Sequence, residues 1–220
     1  MEDLKTIICK RKNIFFDADG VLFASEDFEE SIFKVLKKYD FERNKIKEKI
    51  NNNIHQMYIP NKWIDTFEQE EEMWRDLFGH IILGFQIDDE EIVIDDLLKN
   101  AVYYKNSYLL EGVNKFLETY KNTFDYYVIT NSYPSVYYVL NHLGIDKYFK
   151  KVISSSDIHM CKPNKEIFKY AITITGCKAE ESYFVDDNVV NIEAANNVGM
   201  KGILLDNRKG EMRRLVNILT

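Results

Sequence analysis

Cysteine is scarce in this chain, and what there is does not pair. Cys9, Cys161 and Cys177 are odd in number and show no C-x-x-C spacing, which excludes a disulfide-stapled scaffold and favours reduced thiols in a reducing compartment. The cytoplasm is the expected location. Proline (3) and glycine (9) are also few, so no long flexible linker or low-complexity segment is written in. Positive charge is in deficit: the net charge of −7 argues against nucleic acid as a partner, because phosphate-backbone binding needs a clustered Lys/Arg surface. Lys45, Lys47 and Lys49 alternate with Glu42 and Glu48 in a helical pattern and read as a solvated face. A long apolar run is missing too. The N-terminus carries Glu2, Asp3, Lys5 and Lys10 around a short Ile7–Ile8 pair, so neither a signal peptide nor a membrane span is expected.

What the chain does have is core-forming material. With 220 residues and 45% hydrophobic content it can build one well-buried core plus an insertion. Ile14–Phe15–Phe16 reads as a strand buried on both faces, and it runs straight into Asp17-Ala18-Asp19-Gly20. In open parallel sheets ligands bind beyond the carboxyl ends of the strands, so these acids are placed where chemistry is done.

After a first strand at 13–17 the pattern becomes helical. Phe28, Ile32, Val35, Leu36 and Tyr39 form one stripe, and Ile46, Ile50 and Ile54 form the next. Trp63, Phe67, Trp74, Leu77 and Phe78 follow Pro60, and then come Ile94, Leu97, Leu98, Ala101 and Val102. No strand is expected between residues 25 and 105, and Glu68, Glu70, Glu71 and Glu72 read as an exposed helix face. From residue 112 helices alternate with strands at Phe124–Thr130, Lys151–Ser154, Ser182–Asp187 and Gly202–Asp206, the rhythm of parallel βαβ units. Ser154, Ser155, Ser156 and Asp157 read as a loop. The expected fold is α/β: a Rossmann-like parallel sheet of about five strands, with a helical block inserted after the first.

Several strand ends finish in groups fit for one task. Thr130-Asn131-Ser132 offers a hydroxyl and backbone N–H groups at a helix start, suited to phosphate oxygens. Lys162 precedes Pro163, which places its ammonium near a helix start. Asp186-Asp187-Asn188 closes the fourth strand. Each alone is ambiguous, and Asp-Asp-Asn could simply cap a helix. Together they supply what phosphoryl transfer needs: a carboxylate nucleophile, a second acid or base, a cation, and donors around the equatorial oxygens.

These motifs resemble those of the haloacid dehalogenase-like (HAD) hydrolase superfamily. Phe16-Asp17-Ala18-Asp19-Gly20-Val21-Leu22 is similar to its first motif, Ile129-Thr130-Asn131 to its second, and Lys162-Pro163 to its third. Val185-Asp186-Asp187-Asn188-x-x-Asn191, with Ala195 and Gly199, is similar to its fourth. The resemblance implies a core of residues 1–23 and 108–220 and an all-helical cap at 24–107, closing over the site through segments near Ala24–Glu26 and Leu109–Gly112. It implies Asp17 as the nucleophile that forms an aspartyl-phosphate and Asp19 as the acid that protonates the leaving oxygen and then activates water. Thr130, Asn131 and Lys162 would bind the phosphoryl group, with Lys162 also stabilising its charge. Mg2+ would be held by Asp17, the main-chain carbonyl of Asp19 and Asp187, with Asp186 reaching it through water. The implied activity is a Mg-dependent phosphatase acting on a small phosphorylated metabolite.

Two positions depart from the pattern. Val21 stands where many phosphatases have Thr, a variant also found in sugar-phosphate mutases, and Asn191 stands where a second acid often occurs. A phosphomutase is therefore one alternative, with Arg43, Lys62 or Arg75 of the cap as candidates for holding a second phosphate. A non-catalytic metabolite-binding protein of the same fold is another. His55, His80, His142 and His159 lack ligand spacing, and Cys161 reads as an ordinary packed thiol despite its neighbour Lys162.

Overall fold

A strand with all but its first residue buried organises the molecule: β1 (Lys12–Phe16) is hydrogen-bonded on both sides, to β4 (Phe124–Thr130) and to β6 (Ser182–Asp186). The computed structural model describes residues 11–54 and 63–219; Cys9, His55, Pro60 and Lys62 lie outside them. With β5 (Phe149–Ser154) beyond β4 and β7 (Lys201–Leu204) beyond β6, the sheet has five parallel strands in the order β5-β4-β1-β6-β7. The chain builds outward on one side of β1 and then returns to build on the other. The carboxyl end of β1 is therefore the topological switch point, where an open α/β sheet forms its crevice.

Alternation along the strands separates two cores. Ile14, Phe16, Tyr126, Val128 and Val185 face one side, with α5 (Val113–Tyr120) and α10 (Met212–Leu219) contributing Phe116, Leu117 and Leu215. Phe15, Tyr127, Ile129, Ile153 and Phe184 face the other, against Ile167, Phe168 and Ala171 of α8 (Lys165–Thr175) and Ile192 and Ala195 of α9 (Val189–Asn196). Continuous strand hydrophobicity arises because both faces are covered.

The inserted helices are α1 (Phe28–Leu36), α2 (Arg43–Asn53), α3 (Phe67–Ile82) and α4 (Glu90–Asn100). Asp27, Thr66 and Asp89 cap α1, α3 and α4 by accepting from the N–H of Glu30, Gln69 and Ile92. Their buried stripes (Ile32, Leu36, Ile46, Trp74, Phe78, Ile94, Leu97) join the first of the two cores rather than forming a separate one. No helix among the described residues is long and apolar enough to cross a membrane.

Several expectations need correction. A two-stranded antiparallel ribbon, β2 (Phe23–Ser25) with β3 (Ser107–Leu109), joins the helical block to the sheet. Three-residue strands carry too little alternation to be read from sequence. Trp63 lies ahead of α3, not within it, and stacks on His159 with ring centroids 4.9 Å apart. Residues Ser155–Ile158 form a short helix, α7, capped by the Ser154 hydroxyl, rather than a loop. Pro163 precedes α8, whose N-cap is Asn164, so Lys162 sits in the approach to that helix and not in its first turn.

Glu70 is the largest departure. Glu68, Glu71 and Glu72 are exposed, but Glu70 is fully buried. It accepts hydrogen bonds from the backbone N–H (2.8 Å) and hydroxyl (2.7 Å) of Ser135, just ahead of α6 (Val136–His142), and from the Trp74 indole (3.3 Å). The Tyr103 and Ser135 hydroxyls are also paired. A cap carboxylate thus fastens α3 to the loop that follows β4. Glu70→Ala removes the acceptor of a buried N–H, and we expect a loss of about 1–3 kcal/mol, read as a lower denaturant midpoint. Burial raises the Glu70 carboxyl above its usual range, against the pull of the Ser135 and Trp74 donors. Its contribution is therefore full below pH 4.5 and is lost as pH rises through the raised value; Glu70→Gln should flatten that part of the stability profile.

Candidate active site

Four chain segments converge at the carboxyl edge of β1. Asp17 follows the strand directly, and its own N–H donates to the Val185 carbonyl at 2.8 Å, which keeps the residue in line with β6. One of its carboxylate oxygens accepts from the N–H of Ala18 at 2.7 Å. Gly20 has φ +80°, and the chain there turns back so that the Gly20 N–H donates to the Phe23 carbonyl. This sharp return leaves Asp19 at the mouth of the crevice, exposed.

Lys162 is the centre of the charge arrangement. Its side chain is 2% exposed, and its Nζ lies 2.7 Å from Asp17 and 2.8 Å from Asp186. Asp186 is fully buried and saturated: besides Lys162 it accepts from the Asn188 N–H and, through both oxygens, from the Asn191 amide. Asn191 therefore acts as a neutral donor, where an acid would have faced Asp186 with like charge. Two carboxylates bracket the ammonium, and they hold Lys162 above its ordinary value although burial works against the charge. Burial pushes Asp17 up to about 6 against the pull of Lys162, with Asp186 adding repulsion.

Asn131 has a different place from the one expected. Its amide donates to the Lys162 carbonyl (2.8 Å) and accepts from the Lys162 N–H (2.7 Å), so the side chain is spent on positioning Lys162 and has no free group for phosphate. The Ser132 hydroxyl is likewise turned away, to Ser154 at 3.1 Å. Thr130, 3% exposed, ends β4 beside β1, so the second strand brings its hydroxyl, not a helix start, to the edge; α6 begins only at Val136.

Carboxylate oxygens of Asp17, Asp186 and Asp187 all lie within 4.8 Å of one another. An all-oxygen set of this kind fits a hard divalent cation that keeps several waters. Since Asp186 is already committed to Lys162, Asn188 and Asn191, the oxygens left for an ion are those of Asp17 and Asp187. Burial raises both Asp187 and Asp19, and Arg208 pulls both down.

Sequence reasoning overlooked Arg208. It belongs to the turn after β7, ion-pairs with Asp187, and lies 3.8 Å from Asp19. The signal was available, since Asn207-Arg208 follows a strand end as the other site groups do. With Asp19 it lines a cavity of about 300 Å³ that extends to Ser25, Tyr103 and Tyr108. Of the cap cations considered for a second phosphate, Arg43 pairs with Glu30 and Arg75 with Glu91 and Asp95, so both are neutralised within the helical block.

Comparison with known proteins agrees with this arrangement. The model of the haloacid dehalogenase-like hydrolase family matches residues 11–199. Over 70 residues (32% of this chain, 13% of the relative) the sequence is 33% identical to drimenol cyclase drtB of Aspergillus calidoustus. Over 76 residues, 34% of each chain, it is 37% identical to glyceraldehyde 3-phosphate phosphatase of Methanothermobacter thermautotrophicus. These alignments therefore span about a third or less of the relatives' length. Among solved structures, the HAD-hydrolase YfnB of Bacillus subtilis bound to magnesium has a TM-score of 0.65 at 17% identity, covering 95% of this chain and 98% of that one. A HAD family enzyme of Bacteroides thetaiotaomicron in complex with magnesium and inorganic phosphate has a TM-score of 0.59 at 18% identity, covering 90% and 95%. At these identities the structures speak for the fold.

Proposed function

The chain belongs to the haloacid dehalogenase-like hydrolase family, and from that premise we propose that it is a Mg-dependent phosphatase hydrolysing a small phosphate monoester through an aspartyl-phosphate. The observation that carries the reading is the buried Lys162 ammonium bridging Asp17 and Asp186 at the edge where Asp19 and Thr130 also end. A cation clamped there aims positive charge at the place where phosphoryl oxygens would lie next to the nucleophile.

In the proposed cycle Asp17 attacks phosphorus, the bond from phosphorus to the leaving oxygen breaks, and Asp19 gives that oxygen its proton. Asp19 then takes a proton from the water that attacks the aspartyl-phosphate, releasing inorganic phosphate and restoring Asp17. The raised carboxyl of Asp19 suits a group that must hold and return a proton. Thr130 contributes a hydroxyl to a phosphoryl oxygen, and Asn131 keeps the Lys162 backbone in register. Asp17, Asp187 and the Asp19 main-chain carbonyl would hold Mg2+, whose charge offsets repulsion between Asp17 and the incoming phosphate. We assign residues 24–107 as the cap that excludes bulk water from these steps and the remainder as the core.

Purified protein given a generic aryl phosphate and a panel of small phosphorylated metabolites should release inorganic phosphate with Mg2+ present and lose that release on chelation. Isomerised sugar phosphate as the product would support the phosphomutase reading instead. Tight metabolite binding without turnover would support a binding protein.

A further inference from the structure

We propose that Arg208 is the counter-cation of the metal-free site and that a divalent ion must displace it from Asp187 to bind. The inference rests on the assignment of Asp187 as a metal ligand.

Arg208 is not a loose surface arm. The turn that carries it is fastened to the loop bearing Asp19 by Asn207, which is 1% exposed. The Asn207 N–H donates to the Gly20 carbonyl (2.9 Å), and its amide donates to the Val21 (3.2 Å) and Glu111 (3.3 Å) carbonyls and accepts from the Met212 N–H (2.9 Å). Asp206 then accepts from both the backbone N–H (3.2 Å) and Nε (3.3 Å) of Arg208, which aims the end of the guanidinium at Asp187 and Asp19.

Gly20 carries an independent sign of the same fit. A Cβ at that position would lie 2.4 Å from the Asp187 carboxylate and 2.6 Å from Nη2 of Arg208, so a side chain there would fill the space in which the two groups meet. The glycine serves the turn by its positive φ and the ion pair by its missing Cβ.

The consequence is competition for one acceptor. The Asp187 oxygen that receives Nη2 belongs to the cluster that would hold the ion, and a divalent cation placed there would face a fixed positive charge across a single carboxylate. Metal entry therefore requires the guanidinium to leave Asp187 while Asp206 still tethers it. The open space available is the cavity it lines with Asp19, Tyr103 and Tyr108. In the metal-free protein the same guanidinium screens Asp187 from Asp19 and Asp206, the acids that otherwise repel it.

Calorimetric titration of the full chain with Mg2+ alone, without substrate, tests this. Arg208→Gln should bind Mg2+ roughly threefold to tenfold more tightly than wild type, and Arg208→Lys should stay near wild type. Without metal Arg208→Gln should melt at a lower temperature than wild type, and the difference should close as Mg2+ is added. Equal or weaker Mg2+ affinity in a folded Arg208→Gln variant would overturn the proposal. Failure of the underlying metal assignment has a separate signature: Mg2+ binding unchanged by Asp187→Asn, which would remove the premise and the proposal together.

Discussion

Asp17→Asn should reduce phosphate release by on the order of 10⁴-fold or more while leaving the protein folded. The two halves of this expectation have different origins. The loss follows from replacing the only group placed to attack phosphorus with an amide that cannot. The retained fold follows from geometry: an asparagine oxygen can still accept from the Ala18 N–H and from Lys162, the two contacts that hold Asp17 now. Stability should even rise. Burial lifts the Asp17 carboxyl from 3.8 to about 6, so its folded-state contribution is full below 3.8 and is lost as pH passes through about 6. At neutral pH the wild-type protein therefore carries an ionised carboxylate at a cost in stability that the amide avoids, and the variant should unfold at an equal or higher temperature. A site that keeps a costly charge for its chemistry shows this exchange of stability against activity.

Lys162→Met should act on both quantities in the same direction. The ammonium is 2% exposed and is the shared counter-charge of Asp17 and Asp186. Methionine fills much the same volume but leaves the Asp186 carboxylate, 0% exposed, with only neutral donors, and leaves Asp17 facing it. Breaking a buried pair by removing one partner typically costs about 3–5 kcal/mol, and we expect an equilibrium denaturation loss in that range. Activity should fall by roughly 10²–10³-fold, the usual effect of removing one group that stabilises developing charge. Mg2+ should restore part of the lost stability and little of the turnover, because an ion at Asp17 and Asp187 supplies charge without replacing the ammonium between Asp17 and Asp186.

The legible and illegible parts of this molecule divide along a physical line. The sheet was readable because each strand is a local apolar run, and Phe124–Thr130 emerges with the bounds its residues suggest. Lys162 and Asp186 were visible as candidates for the same reason, since a parallel sheet carries every strand's end to one edge. Their pairing was not visible, because it depends on how far each side chain reaches across β6 and β1. Asn131 shows the limit well. Its place in the motif is apparent, yet its side chain serves the Lys162 backbone, a contact 31 residues away that no local pattern contains.

Glu70 was misassigned for a reason that residue spacing could have corrected. It stands in an acidic run, but it is also four residues before Trp74 and on the stripe that continues through Leu77 and Ile81, all buried. Helical phase, not composition, decided which of the glutamates entered the interface. Arg208 was hidden differently: its partner Asp187 is 21 residues distant, and only the Asn207 clamp on Gly20 and Val21 brings the two together.

The central claim is that Asp17 is the covalent nucleophile. Acid-quenching the protein during turnover of a phosphate monoester with Mg2+, followed by peptide mass mapping, tests it most directly. The account predicts a phosphoryl group on the peptide that carries Asp17, absent from Asp17→Asn. Turnover with a phosphoryl group on any other residue, or undiminished turnover in Asp17→Asn, would contradict it.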